Sequence, residues 1–155
     1  MKIVVAFFTV ALAGAAWADT EGRVQPDPAV VCENVKPHEL CFAKPRDGVA
    51  RAEYLSEPFY AILLKTAARC SVTEAERLAV QALFPRSKVF STRFYCEEDI
   101  EENISYTNID EKFGFLAVYA GTTMASAKTM LGHVSATGRF PGANIRKMQA
   151  KLVYP

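Results

Sequence analysis

The chain is poor in the residues that carry chemistry. It has two histidines, one tryptophan and four cysteines in 155 residues. His38 and His133 lie in different segments, and no nucleophile motif such as GxSxG accompanies either. A hydrolase triad is therefore not expected, and His133, after Gly132 on a helix-like run, reads as a structural residue rather than a catalytic base. No phosphate loop or dinucleotide fingerprint occurs, so the common nucleotide chemistries have no motif to carry them. Paired carboxylates for glycoside cleavage stay open, because a sequence does not give their separation. The expectation is a protein that is not an enzyme and takes no cofactor.

Acid is missing from one end. Every carboxylate side chain lies at or before Glu111, and the last 44 residues hold Lys112, Lys128, Arg139, Arg146, Lys147 and Lys151 with no acid. The whole chain is nearly neutral, at +1, so net charge points to no partner class, and no nucleic-acid partner is expected.

Long apolar runs are missing except at the start. "MKIVVAFFTVALAGAAWADTEG" has one cation, Lys2, an apolar run from Ile3 to about Gly14, and small residues on either side of Trp17. Residues 1–18 read as a secretory signal peptide cut after Ala18. A membrane anchor is the rival, but the run is shorter than the ~20 residues a span needs. The mature chain is expected to be periplasmic or secreted, with no membrane span.

Export bears on the cysteines. Cys32, Cys41, Cys70 and Cys96 form an even set, and an oxidising compartment favours two disulfides. Zinc is the rival around Cys32, His38 and Cys41, but close CxxC pairs are absent.

What the sequence does contain is a repeat. At a shift of 56, "FYAILLKT" (59–66) meets "FLAVYAGT" (115–122), and Phe84-Pro85 meets Phe140-Pro141. Ile62 falls on Val118, Leu78 on Val134 and Val89 on Ile145. Each copy reads strand, helix, strand. In the first, a β-prone run at 59–66 precedes a helix with Thr73 as N-cap and Glu76 three places on. Its inward stripe is predicted as Ala75, Leu78, Ala79, Ala82 and Leu83. Pro85 stops it, and Lys88 to Tyr95 follows as a strand. In the second, Phe115 to Gly121, a helix over about Ser126 to Thr137 with Ala127, Met130, Leu131 and Val134 inward, and Asn144 to Tyr154 play the same parts. Gly138 suits the helix end.

Two such units in series predict an α+β fold, a ferredoxin-like βαββαβ sandwich with both helices on one face of a four-stranded antiparallel sheet. That topology puts Cys70 and Cys96 at the same end of the sheet, making their bridge feasible and leaving Cys32 for Cys41 by elimination. Residues 19–58, with five prolines and a short possible helix around Val49 to Ser56, are expected to form an extended, disulfide-stapled arm before a domain at 59–155. "CEEDIEENIS" crowds five carboxylates into Glu97 to Glu102 and reads as a solvated loop, since calcium loops need a glycine that is missing here. Asn103 opens a glycosylation sequon, meaningful only in a eukaryotic secretory route.

Alternation along the strands divides the sheet. Tyr60, Ile62, Leu64, Leu116, Val118 and Ala120 are expected to face the helices. Phe59, Ala61, Leu63, Lys65, Phe115, Ala117 and Tyr119 would lie on the open side, with Val89, Ser91, Arg93 and Tyr95 from one outer strand and Ile145, Lys147, Gln149 and Lys151 from the other. An aromatic centre with a basic edge suits a sugar chain or an anionic polymer. The alternative is that the arm or a second copy covers this face as core.

The second copy, "FLAVYAGTTMASAKTMLGHVSATGRFPGANIR", resembles the strand, glycine turn, alanine-bearing helix and strand of SPOR (sporulation-related) domains; in the first copy Lys65 stands where the glycine is expected. The resemblance covers about Phe59 to Tyr154. It implies a periplasmic peptidoglycan-binding module whose open sheet face holds glycan strands. Phe59, Arg93, Tyr119, Lys147, Gln149 and Lys151 are the candidate ligand-binding residues. The partner would be the glycan or, on the second reading, an envelope protein engaged by an exported interaction module through the sheet face or an edge strand.

Overall fold

The computed structural model describes residues 21–32, 35–44, 53–92, 96, 104–110 and 112–153. The expected signal peptide, Arg93, Tyr95, the acidic run from Glu97 to Glu102, and Asn103 lie outside them.

The elements in chain order are β1 (Glu53–Leu55), β2 (Phe59–Ala68), α1 (Glu74–Gln81), β3 (Val89–Ser91), β4 (Ile104–Tyr106), β5 (Phe113–Tyr119), α2 (Met124–Ala136), β6 (Asn144–Met148) and β7 (Ala150–Val153). The fold is α+β, with two antiparallel sheets. One has four strands in the order β3-β5-β2-β6; the other has three, β1-β7-β4. Both disulfides are formed, Cys32 with Cys41 and Cys70 with Cys96, as suits a chain that folds in an oxidising environment. No helix among the described residues is long and apolar enough to cross a membrane.

Local chemistry sets the helix ends. Thr73 caps α1, its hydroxyl accepting from the Glu76 amide at 3.1 Å, and Thr123 caps α2 by accepting from the Ser126 amide at 3.2 Å. After α2, Gly138 adopts φ +65°, the left-handed conformation that closes a helix. Each Phe-Pro pair then makes a turn with proline second, where its fixed φ is favourable. The Ser87 amide donates to the Phe84 carbonyl at 3.2 Å, and the Ala143 amide donates to the Phe140 carbonyl at 3.1 Å.

The four-stranded sheet buries both faces. Ile62, Leu64, Leu116, Val118 and Ala120 pack against the helices with Val80, Phe84, Ala127 and Val134. Opposite, Phe59, Ala61, Leu63, Phe115, Ala117 and Tyr119 form a second core with Ile104, Tyr106, Ala150 and Leu152 of the three-stranded sheet and Val24, Leu40 and Phe42 of the arm. The face expected to be open is therefore covered. Rings mesh there edge to face: Phe90 and Tyr106 each meet Phe115, with centroids 5.7 and 5.4 Å apart.

Several expectations are corrected. The stripe of α1 is rotated: Ala75, Leu78, Ala79 and Ala82 are exposed, Leu83 is half-buried, and Arg77 and Val80 are the buried residues. The stripe had counted small apolar residues as core, but the sheet accepts the Arg77 stem because its head is hydrogen-bonded. The outer strands have the opposite parity to that expected. Val89 lies across from Val118, and Ile145 across from Ile62, so both face the helices with their partners, as do Ser91 and Lys147. A one-residue change of register exchanges every side chain between faces. Lys65 also changes face, because a bulge between Leu63 and Lys65 inserts an extra residue, and its ammonium meets Glu76 of α1 at 2.8 Å. The strand expected from Asn144 to Tyr154 breaks at Gln149 and serves both sheets. Ile104–Tyr106, in the segment from Cys96 to Gly114 between the two copies where a loop is expected, is a strand. Over the described residues 53–55 the short helix expected near 49–56 is instead strand β1; three residues have little intrinsic helical stability to set against pairing with β7.

Candidate functional site

Five of the six candidate residues are described, Arg93 lying outside, and those five do not gather on one face. Phe59 is fully buried, so its ring has no surface to stack on a ligand. Lys147 lies opposite Tyr60 on β6, on the helix side. Gln149 sits at the corner between the sheets, where its side-chain amide donates to the Ser56 carbonyl at 2.9 Å. Lys151 lies on β7 in the other sheet and pairs with Glu53 at 2.7 Å, an exposed contact of the kind that contributes little.

Tyr119 is different. Its ring packs on Phe59, with centroids 5.6 Å apart, yet its far end reaches an open groove of about 530 Å³. The backbone builds this groove at the end of β5. Gly121 turns the chain into α2 with φ +90°, and a Cβ there would lie 2.4 Å from the Ser126 hydroxyl, so both the conformation and the close approach require glycine. Thr122, Thr123 and Ser126 then line one wall, with Arg23, Pro26 and Glu57 opposite. The arm is held in place by backbone pairing. The Gly22 amide donates to the Ala43 carbonyl at 2.8 Å, the Gln25 amide to the Cys41 carbonyl at 2.9 Å, and the Glu57 amide to the Gly22 carbonyl at 2.7 Å.

Electrostatics mark the phenol. Burial, then the nearby Glu57 carboxylate, pushes Tyr119 above the usual phenol value, with Arg23 opposing. Among the described residues the Tyr119 hydroxyl has no hydrogen-bond partner. A hydroxyl that can both donate and accept thus stands beside a carboxylate, a guanidinium and three further hydroxyls.

Sequence reasoning singled out Tyr119 but missed Arg23, Glu57, Thr122, Thr123 and Ser126. Nothing in the arm signalled that it folds back beside the glycine turn; the Gly121-Thr-Thr run was the only local clue. Among the described residues no three His, Cys, Asp or Glu side chains are grouped to hold a metal ion. No family model, curated protein or solved structure matches the chain.

Proposed function

We propose that the protein is an exported, non-catalytic binding module of SPOR-like build that engages cell-wall glycan at the Tyr119 groove. The observation that carries this is the Tyr119 hydroxyl, without a hydrogen-bond partner among the described residues and set among donors and acceptors that line an open polar groove. Sugar hydroxyls need both kinds of partner. Arg23 donates, Glu57 accepts, and Tyr119 and Thr122 do either.

The fold reading that accompanies it is a ferredoxin-like, internally duplicated βαββαβ unit. Its support is in the registers. Under a shift of 56, Ile62 maps onto Val118, which is its own ladder partner, and the Ile62 to Ile145 pairing maps onto Val118 to Val89. The turn bond from Ser87 to Phe84 maps onto that from Ala143 to Phe140. Two copies related by an approximate twofold axis through the central ladder account for all of these.

Retention on purified sacculi, before and after amidase removal of stem peptides, tests the glycan reading. Wild type is expected to be retained, more so after amidase treatment, and Tyr119→Phe, which keeps the ring on Phe59, to be retained less. Absence of wild-type retention on both preparations rejects it.

A second reading has its own observation. Both backbone groups of Tyr60 bond to the β5 side, its amide to the Gly121 carbonyl and its carbonyl to the Ala120 amide. The facing Lys147 therefore turns its N–H away from β2, toward the outer edge of β6, where the Asn108 side-chain amide donates to its carbonyl at 3.2 Å. A protein partner adding a strand there would use that donor. Lys147→Pro removes it at the edge, and on this reading would release an envelope protein that co-purifies with the wild type.

A further inference from the structure

A second cavity, of about 200 Å³, lies between the disulfide-closed loop of the arm and helix α1. Apolar side chains of Val30, Val31, Val35 and Leu78 form much of its wall. Val31 is 94% and Leu78 53% exposed, so the mouth is greasy as well as open. The interior is cationic.

Arg77 and Lys88 line the cavity while being only 4% and 8% exposed. Arg77 spends three of its five N–H groups: Nε and Nη2 donate to the Glu74 carboxylate at 2.8 and 2.6 Å, and Nη1 to the Val89 carbonyl at 3.0 Å. Lys88 Nζ donates to the Pro37 carbonyl at 2.7 Å, which leaves two of its three protons unspent. Among the other described charged residues in the lining, Lys36 adds a third cation and Glu39 a carboxylate, its Oε2 accepting from the Lys36 amide at 2.8 Å. Burial, and then the Arg77 charge, draws the Lys88 ammonium below the ordinary lysine value, with Glu74 and Glu39 opposing. Glu39 and Glu74 are the carboxylates that act on this ammonium, but among the described residues its one hydrogen bond is to the Pro37 carbonyl, so a buried cation with two donors to spare stands at the back of the cavity.

We infer that this cavity is a binding site for a carboxylate borne on a short aliphatic group, the carboxylate on Lys88 and Arg77 and the apolar part against Val30, Val31 and Leu78. The shared chemistry fits a free short-chain acid or the terminal carboxylate of a peptide ending in a branched aliphatic residue. It is independent of the Tyr119 groove, which lies beside α2.

The test is amide-resolved NMR titration of the disulfide-bonded protein with hexanoate, hexanamide, and a tetrapeptide ending in leucine with its terminus free or amidated. Saturable shifts centred on Val30, Val31, Val35 and Lys36 and on α1 are expected with hexanoate or the free-acid peptide, and whichever binds tighter identifies the source. The neutral partners should be at least about tenfold weaker, as loss of a charged hydrogen bond implies. Lys88→Met, which keeps the stem, should weaken hexanoate by a similar factor, and Leu78→Ala, at an exposed position, should weaken hexanoate more than acetate. Equal affinity for hexanoate and hexanamide in the wild type overturns the inference. So do shifts that never saturate or that centre on other cations.

Discussion

The rings of Phe84 and Phe140 meet with centroids 6.5 Å apart and planes at 40°. They are the aromatic members of the two Phe-Pro pairs, and each carbonyl closes the turn that leads out of its own helix. The contact ties the ends of α1 and α2 together. Phe84→Ala is expected to lower stability by about 3–5 kcal/mol. A double-mutant cycle with Phe140→Ala should yield a coupling of about 0.5–1.5 kcal/mol. Additive effects in chemical denaturation would show that the rings do not support one another.

Phe59 tests whether the sheet face is covered. Because the ring is fully buried between two sheets, Phe59→Ala should cost about 3–5 kcal/mol by urea unfolding. A loss below about 1 kcal/mol, ordinary for a surface substitution, would mean the face is open.

Gly121 carries a backbone requirement. Its φ of +90°, and the 2.4 Å that would separate an added Cβ from Ser126 Oγ, predict that Gly121→Ala destabilises by roughly 1–3 kcal/mol. Thermal melting reads this directly. Weaker sacculus retention should accompany it, since the Thr122 and Thr123 wall begins there.

Acid should loosen the Arg77 cluster. Hydrogen bonds from Arg77 hold the Glu74 carboxyl below its usual 4.5 against an opposing effect of burial, with the charges of Arg77, His38 and Lys88 adding. A depressed folded value means that the contribution is complete above about pH 4.5 and lost as pH falls through the lower value. Glu74→Gln should therefore be less stable than wild type at neutral pH and lose less stability on acidification. Parallel pH profiles of unfolding would contradict this.

The disulfides should differ in worth. Cys70 and Cys96 are 26 residues apart, against nine for Cys32 and Cys41. Loop entropy gives about 3.5 kcal/mol for the first and about 2.6 for the second. Paired Cys→Ser variants in denaturant titrations should preserve that order.

Much of the layout was legible in the chain. The shift of 56 located both helices and the strands around them, because the same order of apolar runs, caps and Phe-Pro stops occurs in both segments. Thr73 and Gly138 marked helix ends through requirements confined to a few residues. The inward set on the central strands, from Ile62 to Ala120, followed from strict alternation, whereas Lys65 did not, because a bulge leaves no mark in an apolar run. The groove was the least legible part. Tyr119 could be found on its strand, but Arg23 and Glu57 reach it from the arm across contacts that no local pattern announces.

The order of residues alone determined what is short-range: caps, proline turns, strand and helix periods, and the thiols available for pairing. Tertiary structure alone decided the register of the outer strands, the splitting of the last strand at Gln149, and the cover over Phe59. Those outcomes depend on which long-range pairing buries the most apolar surface while satisfying backbone hydrogen bonds, and that sum is taken over segments far apart in the chain.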